Sequence, residues 1–555
     1  MKRYHIYTLA LLAGISVSSC KKDFLNRDPY GVLAEGDYFK TSDAGLKLVT
    51  SCYQPMLDGW GYTVNKVAIG DESVDNADGG GSDPGDRPQT IEVGRGRPLT
   101  SNPLLFETWS NRFRGIGRCN VALDALVRES GNLVSNGKPV PATEVARYFA
   151  EVKFLRAWYY FDLITVFKEV PLVVTVETPT TRKEKASLAQ LREQLYKDLD
   201  EAINEPNLPS MSNRSANDVG RATKDAAYGL KARAALFFAG MMEQNQMPGD
   251  PKAEYTIAKN AAAEVVLNGQ LTLLPDFQDL YRGDYQVGPF SKEVIMGVLR
   301  NFQPAFGLGG DAFAIMNVGR NNVGGWGGNT PTRDLAAAYD PADPRKMFTI
   351  ISHNDIFKTS TEGEEVHNYR GYYNDFNLQH SRKAFVPQQY RIQNDLQRSN
   401  WQPYWMRYSE ILLIYAEALY KADGNSTEAL KYLNEVRRRA FVTTSKTDDS
   451  AIFRLFAEGL KDVDEASFMA NYAVKASEDI NLAIKNERRI ELALEGLRLY
   501  DLVRRGEYAS TMKAFYQKYG FADKGRDAGD NSWPFPIPQI EVDRSNGVLV
   551  QNSNY

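Results

Sequence analysis

Residues 405–440 read WMRYSEILLIYAEALYKADGNSTEALKYLNEVRRRA, and this stretch decides the architecture. Tyr408, Ile411, Leu412, Tyr415, Ala418 and Leu419 recur at steps of three and four, which places them along one side of a helix. The polar turn Asp423-Gly424-Asn425-Ser426 follows, with Gly424 suited to a left-handed helix end and Ser426 or Thr427 expected to cap the next helix. Ala429, Leu430, Leu433, Val436 and Ala440 then form a second apolar stripe. Two amphipathic helices on so short a connection are expected to lie antiparallel, with Ala416, Ala418, Ala422 and Ala429 allowing close approach.

A hairpin of this kind is of tetratricopeptide type, and the pattern recurs. Helices are predicted for Ser42 to Leu57, Trp109 to Leu126, Ala146 to Leu163, Arg221 to Ala239 and Tyr255 to Leu267, and a short strand for Glu293 to Leu299. Several hairpins point to a solenoid, although no clean 34-residue period is visible. No long linker or low-complexity tract divides the 555 residues, so a single interlocked body is expected. A formal net charge of -4, with Lys and Arg spread along the chain, gives no electrostatic case for nucleic acid. The 30 Tyr are read chiefly as core residues of a helical protein.

The chain opens with Lys2 and Arg3, an apolar run from Leu9 to Ile15 and then Val17-Ser18-Ser19-Cys20. The run is too short to span a bilayer and reads as a secretion signal over residues 1–19. The four residues after it resemble the bacterial lipobox, which implies lipidation of Cys20; the alternative is a secreted protein with a chance cysteine there. Several acyl chains, at about 0.8 kcal/mol per buried CH₂, make such a tether almost permanent. Cys52 and Cys119 are the remaining thiols, read as buried and free, with a bridge open to them on an oxidising route.

Two glycine-rich stretches interrupt the helices. After Trp60 and Tyr62, residues 70–86 hold six carboxylates (Asp71, Glu72, Asp75, Asp78, Asp83, Asp86) whose spacing does not fit a calcium loop. This segment is read as a solvated loop that would carry ligand-binding residues if it faced a ligand. Residues 301–329 set Phe302, Phe306 and Trp326 among glycines. A Trp in that setting either stacks on a sugar ring or peptide side chain or is tucked down as a loop anchor. Gly307-x-Gly309-x-x-Ala312 matches a dinucleotide fingerprint only formally, because no βαβ unit surrounds it.

No catalytic constellation is found. His5, His353, His367 and His380 lack metal-ligand spacing, and nucleophile-elbow, phosphate-loop and C-x-x-C motifs are missing, so neither metal nor cofactor is expected. Glu487, Glu491 and Glu495 stack on one helix face beside Arg488, Arg498 and Asp501; ion pairing explains them better than a glycosidase pair.

Motifs along nearly the whole chain resemble the SusD/RagB-type outer-membrane lipoproteins. They include Asp23-Phe24-Leu25 with Pro29, Trp109 with Gly115-Ile116 and Asn120, and Glu151 with Leu155-Arg156-Ala157-Trp158-Tyr159-Tyr160. Gly220-Arg221-Ala222-Thr223-Lys224, Arg407-Tyr408 with Glu410, Glu487-Arg488 with Glu491-Leu492 and Glu495-Gly496, and Phe535-Pro536-Ile537-Pro538 continue the likeness. One departure is local: Phe167-Lys168-Glu169 precedes Val170-Pro171 where the family commonly has Tyr-Gly.

The resemblance implies a mainly α fold, with tetratricopeptide-type hairpins packed against an irregular, loop-rich ligand face. It implies one SusD-like body over residues 20–555, made of interlocked parts at about 20–220 and 221–555. It further implies a lipid-anchored, surface-exposed protein of the bacterial outer membrane that is not an enzyme. Such a protein binds oligosaccharides, or peptides in some members, and passes them to a SusC-like TonB-dependent transporter. By analogy the ligand loops would carry Trp60, Tyr62, Phe302 and Trp326 for stacking, and Asp71, Asp75 and Asn76 for hydroxyl hydrogen bonds.

Overall fold

The computed structural model describes residues 38–41, 43–83, 85–178, 180–281, 287–288, 290–297, 299, 312–317, 325–352, 356–359, 363–366, 379–386, 391–392, 395–399, 401–446, 453–454, 460–520, 523–553 and 555. The signal segment, Cys20, Phe302, Phe306, His353 and His367 lie outside them.

The hairpin at 405–440 forms from helices Tyr408–Asp423 and Ser426–Arg438. Gly424 ends the first with φ 66°, a conformation that costs glycine nothing. The cap of the second is Asn425, whose side chain accepts from the Glu428 N–H, and not Ser426 or Thr427 as the sequence suggested. Counting back from this pair, the main helices are α1 (Ala44–Tyr53), α2 (Pro103–Glu129), α3 (Ala142–Phe167), α4 (Leu188–Ile203), α5 (Lys224–Glu243), α6 (Pro251–Val266), α7 (Tyr408–Asp423) and α8 (Ser426–Arg438). Beyond them lie α9 (Ile480–Glu491) and α10 (Arg498–Arg504). The fold is mainly α. The long helices exceed their predicted bounds by up to about two turns because flanking residues with weak periodicity are recruited by packing.

Each helix from α2 to α8 packs on the next, so the hairpins stack serially. One cluster of buried side chains runs from Phe39 to Leu549 and includes most of the aromatic face of α3, with Trp158, Tyr159 and Tyr160 almost fully enclosed. The alanine face of α5 lets other chain segments approach closely. At Gly240 a Cβ would fall 2.0 Å from the Arg504 carbonyl oxygen, so α10 crosses α5 at a point where only glycine fits. Cys52 and Cys119 are buried and unbridged.

Short strands hold the irregular side. β1 (Ala77–Gly80) pairs antiparallel with β3 (Gly328–Pro331), with Ala77 opposite Pro331 and Gly80 opposite Gly328. β2 (Val294–Met296) pairs with β4 (Met406–Arg407), which ties the predicted strand to the start of the 405–440 hairpin.

The local departure at Phe167-Lys168-Glu169 has a structural counterpart. Lys168 takes φ 65° and ψ -74°, and the Glu169 N–H donates to the Phe167 carbonyl at 2.9 Å. That is a γ-turn with a positive central φ, a strained geometry for a residue with a Cβ. Lys168→Gly should therefore raise the stability of the protein by about 1 kcal/mol. Urea unfolding of both forms measures it; an unchanged or lower midpoint would show that the turn carries no strain.

Candidate functional site

Two tryptophans remote in sequence meet at the surface. The first sits on a single wide helical turn, Gly59–Val64, opened by Asp58, whose carboxylate accepts from the Gly61 N–H at 2.8 Å and is held by Arg114 at 2.9 Å. This leaves Trp60 46% exposed. The second follows from the β1–β3 pairing, extended by a hydrogen bond from Gly81 N–H to the Gly327 carbonyl. Trp326 N–H donates to Ile315 in the short helix Ala312–Asn317, which packs against the Trp60 turn. Trp326, 36% exposed, is thereby laid over Trp60 with ring centroids 5.8 Å apart and planes 23° from parallel.

That spacing has a chemical consequence. A ring held between the indoles would need a contact of about 3.5–4.0 Å on each side. The pair is too close for that, so it offers outer faces and edges to a ligand. Beside it opens a cleft of about 610 Å³. Val64, Leu104 and Met316 supply its apolar wall; Asn65, Gln89 and Glu107 supply donors and acceptors. Glu107 accepts from the Asn65 side-chain amide at 3.1 Å. Glu107 and Asn65 were not singled out from the sequence, because each sits in an ordinary helical pattern.

The other sequence-predicted residues lie elsewhere. Tyr62 is fully buried: its hydroxyl accepts from Trp158 Nε1 at 2.7 Å, and the Arg112 guanidinium lies 4.3 Å from its ring centre. It is a core residue, not a stacking platform. Residues 70–81 are buried too, which corrects the expectation of a solvated loop. Asp75 is clamped by Arg498 through two 2.9 Å hydrogen bonds and by Arg489 at 2.9 Å. Asn76 donates to Asp71 at 3.1 Å and accepts from Arg489, and Asp71 accepts the Gly496 N–H at 2.6 Å. These three side chains are spent on holding chain segments together and do not face the cleft. His380, the one candidate histidine among the described residues, is buried. No cluster of His, Cys, Asp or Glu arranged to hold a metal occurs among the described residues.

The carboxylates of the 487–495 stretch are ion-paired. Glu491 binds Arg345 at 3.0 Å, Arg407 at 3.0 Å and Arg439 at 2.5 Å. Glu487 pairs with Arg345 and Arg437, Glu495 with Arg407 and Lys383, and Glu293 with Arg407 and Arg439.

With this geometry in view, the chain matches two family models. Residues 307–555 match the one described as the SusD family, and residues 100–236 match one described as starch-binding associating with the outer membrane. The chain belongs to the SusD/RagB family. SusD-like protein P2 of Formosa agariphila is 25% identical over 79% of this chain and 82% of its own length. Among solved structures, surface glycan-binding protein A from Bacteroides fluxus is similar at 24% identity and a TM-score of 0.70, over 93% of this chain and all of that one. Surface glycan-binding protein A from Bacteroides thetaiotaomicron, solved in complex with laminarihexaose, is similar at 21% identity and a TM-score of 0.68, with the same coverage. These two structures establish the likeness of the fold. No helix among the described residues is long and apolar enough to cross a membrane.

The buried charges of this SusD/RagB protein make its stability depend on pH. Burial alone would raise the Glu491 carboxyl, but Arg439, Arg407 and Arg345 override it and hold it well below the ordinary 4.5. Burial is likewise outweighed at Glu495 by Arg407 and Lys383, and at Asp75 by Arg489 and Arg498. A depressed carboxyl stabilises the fold fully above its unfolded pKa and loses that contribution as pH falls through the folded value. Asp71 runs the other way: burial pushes it up to about 7, so its contribution is present at low pH and lost as pH rises through 7. Denaturation midpoints measured from pH 8 to pH 3 should fall steeply below about pH 4. Midpoints level down to pH 3 would contradict the pairing described.

Proposed function

We propose that the protein is a cell-surface lipoprotein that captures oligosaccharide at the Trp60–Trp326 cleft and passes it to a TonB-dependent outer-membrane transporter. The observation that carries this reading is the convergence of two exposed indoles on a cleft with hydrogen-bonding walls. Sugars present apolar C–H faces and hydroxyl edges, and indole faces beside amide and carboxylate groups are complementary to both. Family membership, and relatives named for glycan binding, support the same reading. Capture and hand-over need no covalent step, and the carboxylates that a hydrolase would use at 487–495 are occupied by arginine and lysine. The anchor is Cys20, after removal of residues 1–19. Residues 20–555 act as one interlocked body, with the parts at about 20–220 and 221–555 sharing the buried cluster from Phe39 to Leu549. The transporter belongs to the proposal on family grounds alone.

A peptide cargo is the second reading. It is favoured by the carboxylates of Asp86 and Glu107 on the cleft wall, since an indole beside a carboxylate also suits a lysine or arginine side chain.

Both tryptophans are exposed, so Trp60→Ala and Trp326→Ala should keep the melting temperature within about 2 °C of the parent. Each should weaken oligosaccharide binding, measured by calorimetry or affinity electrophoresis, by about tenfold or more. Binding unchanged in both would remove the pair from the site. Cys20→Ala should abolish incorporation of radiolabelled palmitate and move the protein out of the membrane fraction; continued membrane retention without acyl label would refute the anchor.

A further inference from the structure

Past Cys20 the chain holds two cysteines, and the fold brings those two together. Cys52 lies in the last turn of α1 and Cys119 in the middle of α2, both enclosed in the main buried cluster. The register between the helices is set by two side chains of α2 that donate to carbonyls on the α1 side. Asn111 donates to Pro55 at 3.1 Å and Arg118 to Ser51 at 3.1 Å, so the two segments run antiparallel and residue 119 comes level with residue 52. From α3 the Tyr159 hydroxyl donates to the Cys52 carbonyl at 2.8 Å. It reaches there because Gly115, one turn before Cys119, leaves room: a Cβ at that position would fall 2.5 Å from the Tyr159 ring. In this setting the Cys119 thiol hydrogen-bonds to the sulfur of Cys52, whose own S–H donates to the Leu48 carbonyl at 3.4 Å.

Resting on the export reading above, we propose that Cys52 and Cys119 are a disulfide-forming pair, closed into a bridge between α1 and α2 as the protein folds outside the cytoplasm. The thiols described above are the reduced form of that pair. The oxidant is a disulfide of the thiol-exchange class, carried by a protein or by glutathione. The thiolate of one cysteine attacks a sulfur of that disulfide and expels one donor thiol. The second cysteine then attacks the mixed bond, forms the bridge and expels the other donor thiol. The two cysteine protons end on the two donor sulfurs, so the donor is reduced as the pair is oxidised. Packing fixes when this can happen. Burial pushes the Cys119 thiol well above its ordinary value, and the thiolate is the reacting form, so the bridge closes while α1 is docking and is sheltered from reductant afterwards. Of the helices named above, α1 lies nearest Cys20 along the chain, whereas the amino end of α2 supplies Leu104 and Glu107 to the tryptophan cleft. The bridge therefore fastens the anchored end of the chain to the helix that carries the cleft.

The test expresses the full-length protein with its own signal segment in a bacterium that has an outer membrane. Cells are lysed into iodoacetamide, which caps free thiols, and the protein is unfolded in it and digested with trypsin. Peptides 48–66 and 119–128 each carry one of the two cysteines. The expected result is a single species, two hydrogens lighter than the pair, that separates into both peptides on reduction. The urea midpoint of the parent should fall when a phosphine reductant is present, because a closed loop of roughly 70 residues restrains the unfolded chain. The midpoint of the Cys52→Ala/Cys119→Ala variant should not respond to it. Both peptides alkylated in membrane-bound protein would overturn the bridge and leave the surface-lipoprotein reading standing. Protein retained in the cytoplasm with both thiols alkylated would overturn both. Joined peptides in a parent whose midpoint ignores reductant would overturn the fastening role. The peptide map needs no variant, so it decides the bridge even where the double variant does not fold.

Discussion

The carboxylate of Glu491 lies among Arg345, Arg407 and Arg439, fully out of water, and the irregular half of the molecule is organised by that contact. Each arginine comes from a different place: the turn before residue 350, the strand that opens α7, and the end of α8. The network extends to Glu293, Asp343, Glu487 and Glu495 on the acidic side, and to Arg437 and Lys383 on the basic side. Among the described residues five carboxylates meet five cations, so the largely buried assembly they form is formally neutral. Such an assembly adds little net stability compared with an apolar core of the same shape, since desolvation consumes most of the Coulomb gain. Its effect is on specificity. Any register that left one of these charges unmatched in the interior would cost several kcal/mol, which leaves the loops one permitted seat on the helical stack.

From that seat the geometry passes outward to the surface. Arg489 on α9 and Arg498 on α10 grip Asp75, and Gly496 between them donates to Asp71. Residues 70–81 are thereby drawn under the surface, and β1 within them presents its edge to β3. The Asn76 carbonyl and the Asp75 carbonyl take the N–H and hydroxyl of Thr332, which fixes the far end of the same pairing. Trp326, just before β3, arrives over Trp60 because β3 is registered on β1 and the Trp326 N–H donates to the Ile315 carbonyl. The aromatic pair is thus the end of a line of contacts that begins at a buried ion cluster.

This sequence of dependence explains which parts were legible beforehand. The helical hairpins were, because burial of one face repeats every three to four residues and leaves its mark in the local sequence. The exposure of Trp60 and Trp326 follows from a large aromatic among glycines having few neighbours to pack with, while the sequence left open whether Trp326 faces a ligand or anchors its loop. The part of the acidic stretch from Gly70 to Gly81 was misread because its composition looks solvated, and the groups that bury it, Arg489, Gly496 and Arg498, are more than 400 residues away. Tyr62 was misassigned for a similar reason: its partners Trp158 and Arg112 lie on α3 and α2, and proximity to Trp60 along the chain was mistaken for proximity in space. Glu107 escaped notice because a carboxylate on an exposed helix turn is ordinary until a cleft is seen beside it.

The shape of the site also constrains how a carrier built on it would work. An indole pair that is already stacked has spent one face of each ring on the other, so a ligand gains only the outer surfaces and edges. The polar groups around it are wet, and each hydrogen bond they make replaces one to water, for a net gain of about 1 kcal/mol. A few such contacts give affinities in the micromolar to millimolar range and hence fast release. For a protein whose ligand must leave toward a second protein, tight holding would defeat the task. Weak, rapidly exchanging capture on a rigid platform is what the charge cluster, the β1–β3 pairing and the closed indole pair together allow.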